Sequence, residues 1–223
     1  MYDVLFENFS WWRRCHVNYD DKMDVQHRGR DPRSWSAWRR KQVRLVAGHM
    51  PFGFAQHFPG ASESFTFVRD PISRAVSDYH FCRQNPANPA FPAANKLSLT
   101  EFVEANYSFV RNGQARWLSN AAYGARFDTE EAMLEEAMKN LTQISFVGIT
   151  EQFDVSLERL CNRYRLRTHF NPGPNKNAFT PRGNRLSEEE VSVLRRHNRL
   201  DLVIYEHCLQ RFATPGRAAG ASG

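Results

Sequence analysis

The chain has 223 residues, 41% hydrophobic and 24% charged, a balance that gives a core of useful size and excludes a disordered chain. No apolar run approaches the length of a membrane span, and the first residues lack the basic-then-apolar pattern of a signal segment. The net charge of +6 suits an anionic partner (nucleic acid, a phosphorylated cofactor, or a sulfated or carboxylated sugar) without choosing among them.

Residues 1–13 read as a short amphipathic helix with Val4, Leu5 and Phe9 on its apolar side. The polar, Trp-rich stretch that follows, to about residue 42, reads as a surface excursion with a turn at Asp31-Pro32. "VRLVAGHM" is a short strand ending at Gly48-His49, and "PFGFAQHFPG" is a connector. "SFTFVRDPISRAVSDYHF" begins as an alternating strand, breaks at Arg69-Asp70-Pro71 and resumes with helical spacing. The proline-rich "RQNPANPAFPAAN" is a loop.

Capping-box pairs then mark three helix starts: Ser98 with Glu101, Asp128 with Glu131, and Ser187 with Glu190. Between the second and third, "ISFVGI" is a buried strand and "TEQFDVSLERLCNRY" a helix. The last helix would present Val191, Leu194, Leu202, Tyr205, Leu209 and Phe212 on one face. Residues 213–223 form a disordered tail behind one domain spanning 1–212.

Short strands separated by helices indicate an α/β, three-layer sandwich with a mainly parallel central sheet. Ligands bind such sheets beyond the carboxyl ends of the strands, which singles out His49 and Arg69. The four cysteines, Cys15, Cys82, Cys161 and Cys208, lack metal-ligand spacing and read as reduced, buried thiols.

At the Arg69 break, Asp70 is a good N-cap and Pro71 suits the first helical position. Free N–H groups and the helix dipole favour an anion there, while Arg69 and Ser77 add a guanidinium fork and a hydroxyl suited to phosphate. A solvated Arg69 and a core-facing Ser77 would explain the same residues.

"FTFVRDPISRAVSDYHF" resembles the 3′-phosphate-binding motif of sulfotransferases that use 3′-phosphoadenosine 5′-phosphosulfate. With "VAGHMPFGF", "NGQARWLS", the 134–160 block and the 175–212 segment in family order, the chain resembles the carbohydrate sulfotransferase family that includes heparan sulfate 2-O-sulfotransferase and bacterial relatives. The resemblance implies a P-loop-NTPase-like sulfotransferase fold and a metal-free transfer to a hydroxyl of a glycan. Arg69 and Ser77 would grip the 3′-phosphate. His49 would be the general base, a role its near-neutral pKa suits. The loop 175–184 would close over the nucleotide through Lys176 and Arg182, Asn112 and Gln114 would line the acceptor cleft, and Arg74 would be structural.

The family also carries an upstream strand and phosphate loop, which this sequence lacks. "MYDVLFENF" resembles the helix after that loop, so the expectation is an N-terminally truncated fold, with the loop found on reading upstream in frame. These residues alone should then show little transfer and aggregate readily, through an exposed sheet edge. Two other readings compete: a catalytically inactive homologue that binds only nucleotide or glycan, and a nucleic-acid-binding domain reading "WWRRCH" and "WSAWRRK" as stacking clusters. The tryptophans are more simply explained as packing. A bacterial protein of this kind would be cytoplasmic, whereas a Golgi form would need an upstream membrane anchor.

Overall fold

The computed structural model describes residues 2–19, 25–28, 30–60, 62–105, 110–167 and 186–214. The chain passes through α1 (Tyr2–Glu7), β1 (Arg14–Tyr19), β2 (Val25–Gln26), α2 (Ala37–Gln42) and β3 (Leu45–Gly48). It continues through β4 (Phe65–Val68), α3 (Pro71–Gln84), α4 (Phe91–Ala94), α5 (Leu99–Glu104) and α6 (Gly113–Leu118). The last elements are α7 (Glu130–Thr142), β5 (Phe146–Ile149), α8 (Phe153–Tyr164), α9 (Glu188–His197) and α10 (Arg199–Ala213). No helix among the described residues is long and apolar enough to cross a membrane.

The fold is α/β with small parallel sheets. β1 runs parallel to β3 and antiparallel to β2, in the order β2-β1-β3. β4 and β5 form a second sheet. The Ser64 carbonyl accepts from the Ser145 N–H where both strands begin, and the Val68 carbonyl accepts from Thr150 Oγ1 where both end. These two strands therefore run in the same direction.

By packing, the chain divides into two compact units: 1–65 with 115–146 and 157–175, and 66–114 with 147–156 and 176–223. In the first, Cys15, Val17, Val43, Phe54 and Phe58 form a core cluster with Trp35, Val46 and Met50 packed against it. Strand β1 is absent from the sequence reading: over Arg14 to Asn18 the buried Cys15 and Val17 alternate with Arg14, His16 and Asn18. That alternation marks a half-buried strand, obscured by the surrounding charge. The tryptophans also depart from expectation: Trp35 packs on the core, but Trp11 and Trp38 are 70% and 71% exposed. The expected helix over 1–13 closes at Glu7, and a 3-10 turn follows at Trp11–Arg13.

In the second unit, Ala75, Val76 and Tyr79 of α3 pack with Leu99, Phe102 and Val103 of α5 and with Leu194 of α9. The capping boxes at Ser98–Glu101 and Ser187–Glu190 are both formed. In the first unit, the α7 cap is Thr129, not Asp128, and its side chain accepts from the Ala132 N–H. The proline-rich loop contains the short α4. The expected last helix is two helices, broken at Asn198 (φ −124°, ψ 29°). Restarting there rotates the buried stripe of α10 to Leu200, Ile204, Cys208 and Phe212. All four cysteines are free and buried, and burial pushes the Cys82 and Cys208 thiols up to about 11. Residues 215–223 of the expected tail lie outside the described residues, while Ala213 still belongs to α10.

Candidate functional site

Arg69 is the first residue beyond β4, where a strand runs out of partners and its backbone polar groups need new ones. Gln114 supplies them. Its side-chain Oε1 accepts from the Arg69 N–H at 2.8 Å, and its Nε2 donates to the Arg69 carbonyl at 2.9 Å. One amide thus takes the place of a neighbouring strand.

The next residue starts α3. Asp70 Oδ1 accepts from the Ser73 N–H at 2.8 Å, and Pro71 occupies the first turn. The Asp70 N–H donates to Glu151 Oε1, whose other oxygen accepts from the Tyr205 hydroxyl. Burial and Glu151 raise the pKa of Tyr205, so it stays a donor. The Ser73 N–H, one of the donors an anion could use at this helix start, is therefore taken by the Asp70 carboxylate. The two side chains expected to hold phosphate, Arg69 and Ser77, are half-buried, and no hydrogen bond or ion pair among the described residues occupies the Arg69 guanidinium.

Arg74, one turn into α3, is tied down instead. Its Nη2 lies 3.1 Å from Asp78 Oδ2 and its Nη1 3.9 Å from Asp201 Oδ2. Burial raises the Asp78 pKa and nearby Asp201 adds to the rise, while Arg74 and Arg69 oppose it. Gly113 lies against the same guanidinium, and a Cβ there would fall onto it.

Asn112 and Gln114, the expected acceptor-cleft residues, are 5% and 9% exposed. Asn112, at φ +48°, donates its N–H to Asn198 Oδ1 at 3.0 Å and accepts at Oδ1 from the Leu200 N–H at 3.1 Å. The Gln114 N–H donates to Asp201 Oδ2 at 2.9 Å, and Asp201 is fully buried. Both side chains are thus committed to the unit's own frame, leaving them little surface for a ligand. Asn198, Asp201 and Glu151 carry no role in the sequence reading, and Tyr205 enters it only as an apolar-face residue of the last helix. The one usable signal was "HNRLD", an Asn interrupting a helical pattern three residues before an Asp.

His49 belongs to the first unit. Its N–H donates to the Val17 carbonyl at 3.0 Å, continuing the β1–β3 pairing past Gly48. Gly48 has φ +129°, and a Cβ there would collide with the Val17 carbonyl. The Trp117 ring meets His49 edge-on at 4.9 Å. His49 remains exposed, yet the packed atoms around its ring desolvate it and lower its pKa below the ordinary 6.5, with a smaller repulsion from His16. It is therefore neutral near pH 7 and able to accept a proton. Three residues on, Asn120 Oδ1 accepts from the Phe52 N–H at 2.6 Å and its Nδ2 donates to the Phe52 carbonyl at 3.3 Å. Lys176 and Arg182 lie outside the described residues.

No protein-family profile matches the chain. It is similar to heparan-sulfate 6-O-sulfotransferase 1 of Cricetulus griseus and of Homo sapiens, each 25% identical over 66% of this chain and over 43% and 42% of those proteins. Heparan-sulfate 6-O-sulfotransferase 3 of Mus musculus is 27% identical over 66% of this chain and 37% of its own length. The chain spans about two fifths of the length of the curated relatives it matches. Their names are those of 6-O enzymes, whereas the sequence resemblance was drawn to a family including a 2-O enzyme.

Proposed function

We propose that the chain belongs to a carbohydrate sulfotransferase of P-loop-NTPase-like fold. It would move a sulfuryl group from 3′-phosphoadenosine 5′-phosphosulfate to a hydroxyl of a glycan. The similarity to 6-O-sulfotransferases supports the class. The structural observation that carries the reading is Arg69, its backbone clamped at a strand exit while no described hydrogen bond engages its guanidinium. A cation so placed, with Ser77 two turns along α3, is equipped to hold the nucleotide's 3′-phosphate. Lys176 and Arg182 would add charge for the same nucleotide.

His49 takes the proton of the acceptor hydroxyl. The freed oxygen attacks sulfur, the bond from sulfur to the 5′-phosphate oxygen breaks, and the electron pair leaves on that phosphate. The lowered pKa of His49 supports this role, because the base must be neutral before it acts. The net charge of +6 suits an anionic glycan.

Calorimetry with 3′-phosphoadenosine 5′-phosphate tests the nucleotide site. Arg69→Ala should weaken binding roughly tenfold to a hundredfold, the loss expected for a charge-assisted hydrogen bond. Unchanged affinity would remove Arg69 from the site. His49→Ala should keep nucleotide affinity and lose sulfuryl transfer to a glycan. Undiminished transfer would reject the base.

A further inference from the structure

We propose that Gln114 is a positioning residue for Arg69, and that the α9–α10 junction anchors it. The inference rests on the reading of Arg69 as a 3′-phosphate ligand and deepens it. An arginine side chain has four rotatable bonds, so a guanidinium meets a phosphate reproducibly only when its Cα is fixed. At Arg69 the strand has ended and the helix has not begun, and neither element fixes that Cα. The Gln114 amide does so through both backbone polar atoms of the residue.

Gln114 is itself immobilised. Its N–H is held by Asp201, and Asn112 two residues earlier exchanges hydrogen bonds with Asn198 and Leu200. Three bonds therefore join residues 112–114 to the break between α9 and α10. The break has a purpose on this reading: a continuous helix would bond the Leu200 N–H internally, and the restart leaves it for Asn112. Asp201 also faces Arg74, which fills the space beside Gly113. The sequence motif "NGQ" is then a bracket: Asn112 and the Gln114 backbone grip the junction, Gly113 makes room for Arg74, and the Gln114 side chain holds Arg69.

The test compares two nucleotides on the full chain by calorimetry: 3′-phosphoadenosine 5′-phosphate and adenosine 5′-phosphate, which lacks the 3′-phosphate. The readout is the ratio of their dissociation constants. Gln114→Glu keeps the acceptor for the Arg69 N–H but sets an oxygen against the Arg69 carbonyl. It should shrink the ratio about tenfold, the scale of losing oriented support around a ligand-binding group. Gln114→Asn, too short to reach both atoms, should do the same, and it stands in if the first variant does not fold.

If Arg69→Ala removes the ratio while both Gln114 variants preserve it, the phosphate site stands and the positioning role falls. Equal weakening of both nucleotides in the Gln114 variants would show a merely structural residue and would also overturn the role. A wild type that does not distinguish the nucleotides, or an Arg69→Ala that still does, would overturn the site and the positioning role together.

Discussion

The exits of β3 and β4 solve one problem in two ways. Each strand ends at a residue with candidate chemistry, and each exit must hold its backbone where sheet pairing stops. After β3 the solution is mostly local: Gly48 takes a positive φ that lets the backbone press on the Val17 carbonyl, and the His49 N–H bonds that same oxygen. After β4 it comes from afar, through the side chain of Gln114, 45 residues along the chain. The β3 exit also has its amide clamp, Asn120 on Phe52, but three residues downstream of the histidine. A turn built on a glycine conformation is rigid because nothing else fits there. A turn built on a borrowed amide is only as rigid as whatever holds the amide.

The strongest way to break this contrast is Gly48→Ala. The obstacle is backbone and the φ is one that side chains rarely adopt, so the loss should be about 3 kcal/mol or more. Urea unfolding would measure it, and a cost near zero would show that the β3 exit is not set by glycine. Gly113→Ala should cost less, about 1–2 kcal/mol, because the obstacle is the end of an arginine side chain. That guanidinium is held between Asp78 and Asp201, so the change should still be measurable; a stabilised variant would show that Arg74 yields freely.

The smallest effect is on pH. Burial lowers the pKa of His27, His49 and His80 below the ordinary 6.5. The unfolded chain therefore takes up protons first as pH falls through 6.5, and stability should drop in that window and be recovered above it. Asp78, whose carboxyl is raised above 3.8 by burial, works in the opposite sense at lower pH. Melting temperature followed across the histidine range, with His49→Gln as the comparison, would test the sign. A rise in stability on acidification through 6.5 would contradict the burial of these rings.

Much of the local structure was legible because its causes are local. The Asp70-Pro71 start of α3 and the capping boxes at Ser98 and Ser187 depend on residues within one turn of each other. The α7 start was displaced by one residue because Asp128 and Thr129 are both good caps, and only the position of the helix decides between them. β1 is hard to read because its alternation is short and set among charged residues, and Cys15 and Val17 are buried by Val43, Phe54 and Phe58 from further along the chain. The exposed Trp11 and Trp38 could not be told from the packed Trp35 by residue type, since a tryptophan's burial depends on what folds over it.

The candidate site divides along the same line. Local sequence is enough to stop a strand at Arg69, start a helix at Asp70 and place a histidine after Gly48, because φ preferences, caps and periodicity act over a few residues. It takes long-range packing to bury Asn112 and Gln114 as brackets, to break the C-terminal helix at Asn198, and to seat the fully buried Asp201 on the Gln114 N–H. A buried polar group must find a partner wherever the fold brings one, and such a partner can stand more than 80 residues away, as Asp201 does from Gln114.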